Sequence, residues 1–125
     1  MTGADLARMM RLDVFVYLSG PITAKHGYSV EDNIASAIRV YWACLRAGIP
    51  AFCPHLSAAF PTAFEIHYEN WMAYDYAVID RCTHVLLLPR WETSAGALQE
   101  KAYAEARGLP VVQSIGEIGG AHEDL

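Results

Sequence analysis

Four short, almost wholly apolar runs alternate with longer segments of helical period, and few folds accept that pattern. The runs are "VFVYLSG" (residues 14–20), "IPAFCP" (49–54), "HVLLLP" (84–89) and "LPVVQS" (109–114). Each is too brief for a helix and stops at Gly or Pro or turns polar, and the first is rich in β-branched and aromatic residues. A strand apolar on both sides is one covered on both faces, so alternating strands and helices predict a parallel sheet with helices on each side. The expected fold is a small doubly wound α/β domain, flavodoxin-like or Rossmann-like, with four to five parallel strands.

The intervening segments carry helix signals. "SVEDNIASAIRVYWACLRAG" (29–48) sets Ile34, Ala37, Ile38, Tyr41 and Leu45 at helical spacing, with Ser29 or Asp32 as cap and Gly48 as stop. Helical period returns over 65–81, with Ile66, Trp71, Tyr74 and Val78 as its apolar stripe, and again from Ser94 to Gly108. "HLSAAFPTAF" (55–64) and "RWET" (90–93) read as loops. At 125 residues the chain fits one domain, with a core over about 13–114 and a mobile tail over 115–125, which ends in "GEIGGAHEDL".

Composition narrows the function classes. Nine basic against fourteen acidic residues give a net charge of −5, and the cations are scattered, which argues against a nucleic-acid polymer as partner. No apolar run is long enough to span a bilayer, and the N-terminal stretch lacks a secretory apolar core, so a cytoplasmic protein without a membrane partner is expected. Cys44, Cys53 and Cys82 fall inside apparent helices or strands and read as small core hydrophobes. "CPH" (53–55) offers two metal ligands but no further ligand at zinc-site spacing, so no metal is expected.

In open parallel sheets, ligands bind beyond the carboxyl ends of the strands. That directs attention to "SGPITAKHGYS" after the first run and "PRWETSAG" after the third, both rich in Gly, Ser and Thr, which let backbone amides approach a ligand. Ser94 sits where the last helix begins, as a plain N-cap or as part of an anion seat. Gly96 and Glu100, four apart, share one helical face. Glycine inside a helix costs up to about 1 kcal/mol relative to Ala, so a neighbouring element or a substrate must approach the backbone there. Glu100 below it then faces that substrate, or else faces solvent in the mixed-charge run "QEKAYAEAR". Asp75 follows Trp71 by four residues on the preceding helix; an acid beside aromatics can serve as a proton donor while the rings stack on a flat base.

These residues, "YLSGP" (17–21) after the first strand, Asp75 in the middle helix, and Ser94, Gly96 and Glu100 in an S-x-G-x-x-x-E arrangement, resemble the nucleoside 2-deoxyribosyltransferase superfamily. The resemblance runs from about Val14 to Val112 and extends to the small N-glycosidases that act on nucleoside 5′-monophosphates and to short bacterial and phage proteins. It implies that Glu100 is the nucleophile at the anomeric carbon, that Asp75 assists by proton transfer or sugar positioning, and that Tyr17 orients Glu100. Substrate contacts are implied for Ser19, Gly20, Pro21, Trp71, Ser94 and Gly96.

Ser at position 94 is similar to the monophosphate hydrolases, whereas the transferases commonly carry an Asp. A hydroxyl at a helix N-terminus suits a phosphate and an acid does not. Lys25, His26 or Arg90 are the candidate cations, since the first loop lacks an Arg, and Thr83 stands where the family usually has an acid. The resemblance thus implies a cofactor-free enzyme, a homodimer or larger homo-oligomer, that hydrolyses the base–sugar bond of a (deoxy)nucleoside 5′-monophosphate. Base transfer and a non-catalytic nucleotide-sensing module are the alternatives.

Overall fold

The computed structural model describes residues 1–59 and 65–118 of the 125-residue chain. In chain order its elements are α1 (Gly3–Met9), β1 (Val16–Ser19), α2 (Val30–Arg46), β2 (Ala51–Phe52), α3 (Tyr68–Ile79), β3 (His84–Leu87), α4 (Ala95–Ala106) and β4 (Val111–Val112). The four strands form one sheet of order β2-β1-β3-β4, with every neighbouring pair parallel. This is the doubly wound α/β arrangement that the alternating pattern predicts. The chain leaves β1 toward β2 and leaves β3 toward β4, so the crevice between the carboxyl ends of β1 and β3 is the topological switch point.

Period-two alternation divides the core. Val16 and Leu18 of β1 pack with Leu86, Leu88 and the α2 residues Ala37 and Cys44 on one face. Tyr17, Val85 and Leu87 pack with Ile79 of α3 and Ala104 of α4 on the other. Side chains two apart on a strand share a face, so Ser19 points the same way as Tyr17, toward α3 and α4. The three cysteines are buried and free; burial pushes the Cys44 thiol up to about 11 and that of Cys82 up to about 12, which keeps both protonated.

Helix ends follow their local chemistry. Ser29 and Asp32 form a reciprocal capping box at the start of α2, and Gly48, at φ 75°, lets the chain turn out of its end. The predicted 65–81 helix is shorter, Tyr68–Ile79, and its stripe is different: Met72, Asp75 and Ile79 face inward, while Ile66 and Tyr74 are exposed. On α2, Ile38 and Leu45 are likewise exposed, and the buried positions are Asn33, Ala37 and Cys44. In both helices a polar residue occupies the core-facing stripe, and counting only apolar residues rotates the apparent face.

Three further differences concern connections. Residues 3–9 are helical although their sequence carries no marked period, and the start of "HLSAAFPTAF" is a 3-10 turn, Pro54–Ala59, whose continuation at 60–64 lies outside the described residues. "RWET" contains a 3-10 turn, Trp91–Thr93. The expected tail over 115–125 starts as packed structure, because Ile118 is 1% exposed and closes one side of the core; the rest of it, 119–125, lies outside the described residues. No helix among the described residues is long and apolar enough to cross a membrane.

Candidate active site

The loops that leave β1 and β3, the start of α4 and the inner face of α3 enclose a cavity of about 390 Å³ at the switch point. That volume suits a small molecule. Trp71 and Met72 of α3, with Pro54 and Ile22, supply apolar wall, while Thr23, Lys25, Asn33, Arg90, Thr93 and Ser94 bring polar and cationic groups. Asp75 and Glu100 line it as its acids.

Glu100 is not a solvent-facing helix residue: only 6% of it is exposed. Tyr17 Oη donates to its Oε2 at 2.8 Å, and Ser19 Oγ donates to Oε1 at 2.7 Å. The geometry follows from β1, whose inward residues 17 and 19 lie side by side beneath α4. Each carboxylate oxygen therefore has one fixed donor, and a fixed carboxylate keeps its rotamer and orientation. Burial, and then the charge of Asp75, push the Glu100 carboxyl up to about 8, against the lowering effect of Ser19 and Tyr17. Burial also raises Asp75, whose carboxyl lies near enough to Glu100 and Tyr17 to feel both. Two buried carboxyl groups that feel each other titrate as a pair, and one proton between them spares a second buried charge. Tyr17 is raised well above its ordinary range, chiefly by burial and then by Glu100, so it remains a phenol that donates.

Ser19 is itself fully buried and lies behind Glu100 rather than on the cavity wall, so its position makes it a support of the carboxylate and not a substrate contact. Gly20 and Pro21 do line the cavity. A Cβ on Gly20 would lie 2.7 Å from Leu88 Cβ, so close packing of β1 against the exit of β3 requires a glycine there. The Pro21 carbonyl meets His55 Nε2 at 3.0 Å, a contact that makes His55 an Nε2–H donor and ties the first loop to the end of β2. Burial drives the His55 pKa down to about 4, so the ring is neutral.

Gly96 presents the opposite case to Gly20. Its imagined Cβ meets nothing nearer than Tyr68 Oη at 3.6 Å and Ser94 Oγ at 3.8 Å, ordinary contacts that leave room for a methyl group. No neighbour among the described residues accounts for the glycine, and it opens onto the cavity. Ser94 is the N-cap of α4, its Oγ accepting from Ala97 N at 3.1 Å, and it also faces the cavity. Trp71 is half-buried beside Asp75, edge-on to Tyr74.

Of the three candidate cations, Lys25 and Arg90 reach the cavity wall, and His26 does not. His26 (φ 53°) and Gly27 (φ 82°) are the central pair of a tight turn between Lys25 and Tyr28, whose backbones bond each other at 3.0 Å. Asn33 and Tyr68 line the site and went unread in the sequence; the only signal for Asn33 was a polar side chain at a core-facing position of α2. Thr83 sits at the opposite, amino end of β3, where its hydroxyl accepts from Phe15 N at 2.9 Å, so the departure from the family pattern there stitches strands and does not touch the site. Among the described residues no group of three His, Cys, Asp or Glu side chains is placed to hold a metal.

Residues 14–113 match the family described as a domain of unknown function (DUF4406), and the chain belongs to that family. No curated protein matches it.

Proposed function

We propose that this DUF4406 chain is an N-glycosidase that hydrolyses the base–sugar bond of a (deoxy)nucleoside 5′-monophosphate. The observation that supports it most is the buried Glu100 at the cavity, held by two donors and raised by burial and by the nearby acid Asp75. Burying an acid without a cation is costly, and perturbed carboxyls in clefts cluster at sites of chemistry.

In the forward step a Glu100 carboxylate oxygen bonds to the anomeric carbon as the bond from that carbon to the base nitrogen breaks. The electron pair goes to the base, and the shared proton, carried by Asp75, follows it. Water then loses a proton to Asp75 and attacks the same carbon, releasing sugar phosphate and restoring the carboxylate. Trp71 offers the departing base a flat apolar wall. Every group in this scheme belongs to the protein, so the proposal needs no cofactor.

The test is chromatographic detection of free base from each ribo- and deoxynucleoside and each 5′-monophosphate, with Glu100→Gln in parallel. Release from monophosphates that falls by several orders of magnitude in the variant is expected. Release only with an added acceptor base would replace hydrolysis by base transfer, and ligand binding without release would replace both by a sensing module.

A further inference from the structure

Arg90 lines the cavity in a left-handed backbone conformation, φ 66° and ψ 21°, which a residue with a Cβ adopts under strain. Strain of this kind persists where the surroundings hold it, and here two side chains do. The Arg90 Nη1 donates to Asn33 Oδ1 at 2.9 Å, and the guanidinium lies over the Tyr28 ring, 3.6 Å from its centroid. Asn33 is buried, and its Nδ2 donates in turn to the carbonyls of Ile22 and Thr23, both at 3.1 Å. The loops after β1 and β3 are thereby fastened through one amide and one guanidinium.

No carboxylate among the described residues pairs with the charge so fixed. Arg90 makes no ion pair among the described residues, and Asp32, the acid that senses it, already accepts from the backbone of Ser29. One N–H goes to Asn33, and the remaining donors of the planar fork have no protein acceptor among the described residues. Lys25 lines the same end of the cavity, its Nζ 3.5 Å from the Thr93 carbonyl. Ser94, four residues past Arg90, stands six residues before Glu100 on α4, roughly 9 Å along the helix axis. Cations and the carboxylate pair therefore line one and the same cavity in a chain whose net charge is −5.

We infer that Arg90, positioned by Asn33 and Tyr28, is the specificity-determining residue that binds the anionic end of the substrate, a phosphate monoester, and so separates nucleoside 5′-monophosphates from nucleosides. A guanidinium fork matches phosphate oxygens in a bidentate way that an ammonium does not. The chemistry assigned to the other end of the ligand rests on the glycosidase reading; the selection of a phosphate by Arg90 does not need turnover.

The test is calorimetric titration of the Glu100→Gln protein, with and without Arg90→Gln or Arg90→Lys, using the ribo- and deoxynucleoside 5′-monophosphates and the matching nucleosides, after thermal melts establish that each variant is folded. At least one monophosphate should bind more tightly than its nucleoside. Arg90→Gln should weaken that monophosphate by roughly 10- to 100-fold, the nucleoside much less, and Arg90→Lys should recover only part of the loss. An unchanged preference in Arg90→Gln, full recovery in Arg90→Lys, or no binding of any monophosphate would overturn the inference. Preference lost with Arg90 in a protein whose wild type releases no base would uphold it while refuting the glycosidase.

Discussion

At position 100 a carboxyl is held out of water with no cation against it, and folding has to keep it protonated or bear its charge. Its folded pKa of about 8 lies above the ordinary value of 4.5, so the folded chain binds this proton more tightly than the unfolded one. The sign follows: ionisation opposes folding, the penalty is absent well below 4.5, grows as pH rises and levels off above about 8. Glu100→Gln removes a group that ionises above about pH 8, and is expected to stabilise the protein by an amount on the order of a few kcal/mol at pH 8.5 and by much less at pH 5. Thermal melts at the two pH values check this, and equal shifts would contradict it. Catalysis should fall above about pH 8, when the shared proton leaves, and at acid pH, when the pair gains a second one. The pairing of Glu100 with Tyr17 was legible in the sequence by resemblance. The role of Ser19 was legible in principle by strand alternation, since residue 19 must face as residue 17 does, but the side chain's closeness to a Gly-rich loop drew it toward the substrate instead.

Two glycines separate packing from function at the scale of an element. Gly20→Ala forces a methyl against Leu88 and should cost about 1–3 kcal/mol in a denaturant titration. Gly96→Ala meets only van der Waals contacts and should stabilise α4 by up to about 1 kcal/mol while lowering kcat/KM about tenfold or more, because the added methyl occupies substrate space. A Gly96→Ala protein of unaltered kcat/KM would mean that the bare backbone serves no ligand. The elements were readable where a cap or glycine fixes an end, as at Ser29 and Gly48, and misread where a buried polar residue belongs to the stripe. Asp75 and Asn33 are such residues: hydrophobic periodicity scores them as outward, and the site turns them inward. The clamp of Arg90 on Asn33 joins residues 57 apart, a contact no local pattern encodes.

For the whole molecule, alternating apolar runs sufficed to fix the layers, because parallel strands buried on both faces have few ways to be covered. The exposed face of α3 is a different matter. Ile66 just before it, and Tyr68 and Tyr74 on it, are 42–54% exposed, and Tyr68 is part of the cavity wall. They belong to the aromatic-rich segment "FEIHYENWMAYDY", whose Phe64 lies outside the described residues. We propose that it pairs two chains, and light scattering at working concentration should give at least a dimer mass, reduced toward the monomer by Tyr74→Glu; a monomeric wild type would end that proposal.

The central claim is the bond between Glu100 and the sugar, and it fixes stereochemistry. Running base release in aqueous methanol and reading the methyl glycoside by NMR reports the configuration before any mutarotation. Two displacements, first by Glu100 and then by methanol, predict the β-anomer from a β-nucleotide. The α-anomer would mean that Glu100 activates the acceptor in a single displacement and never bonds to the sugar.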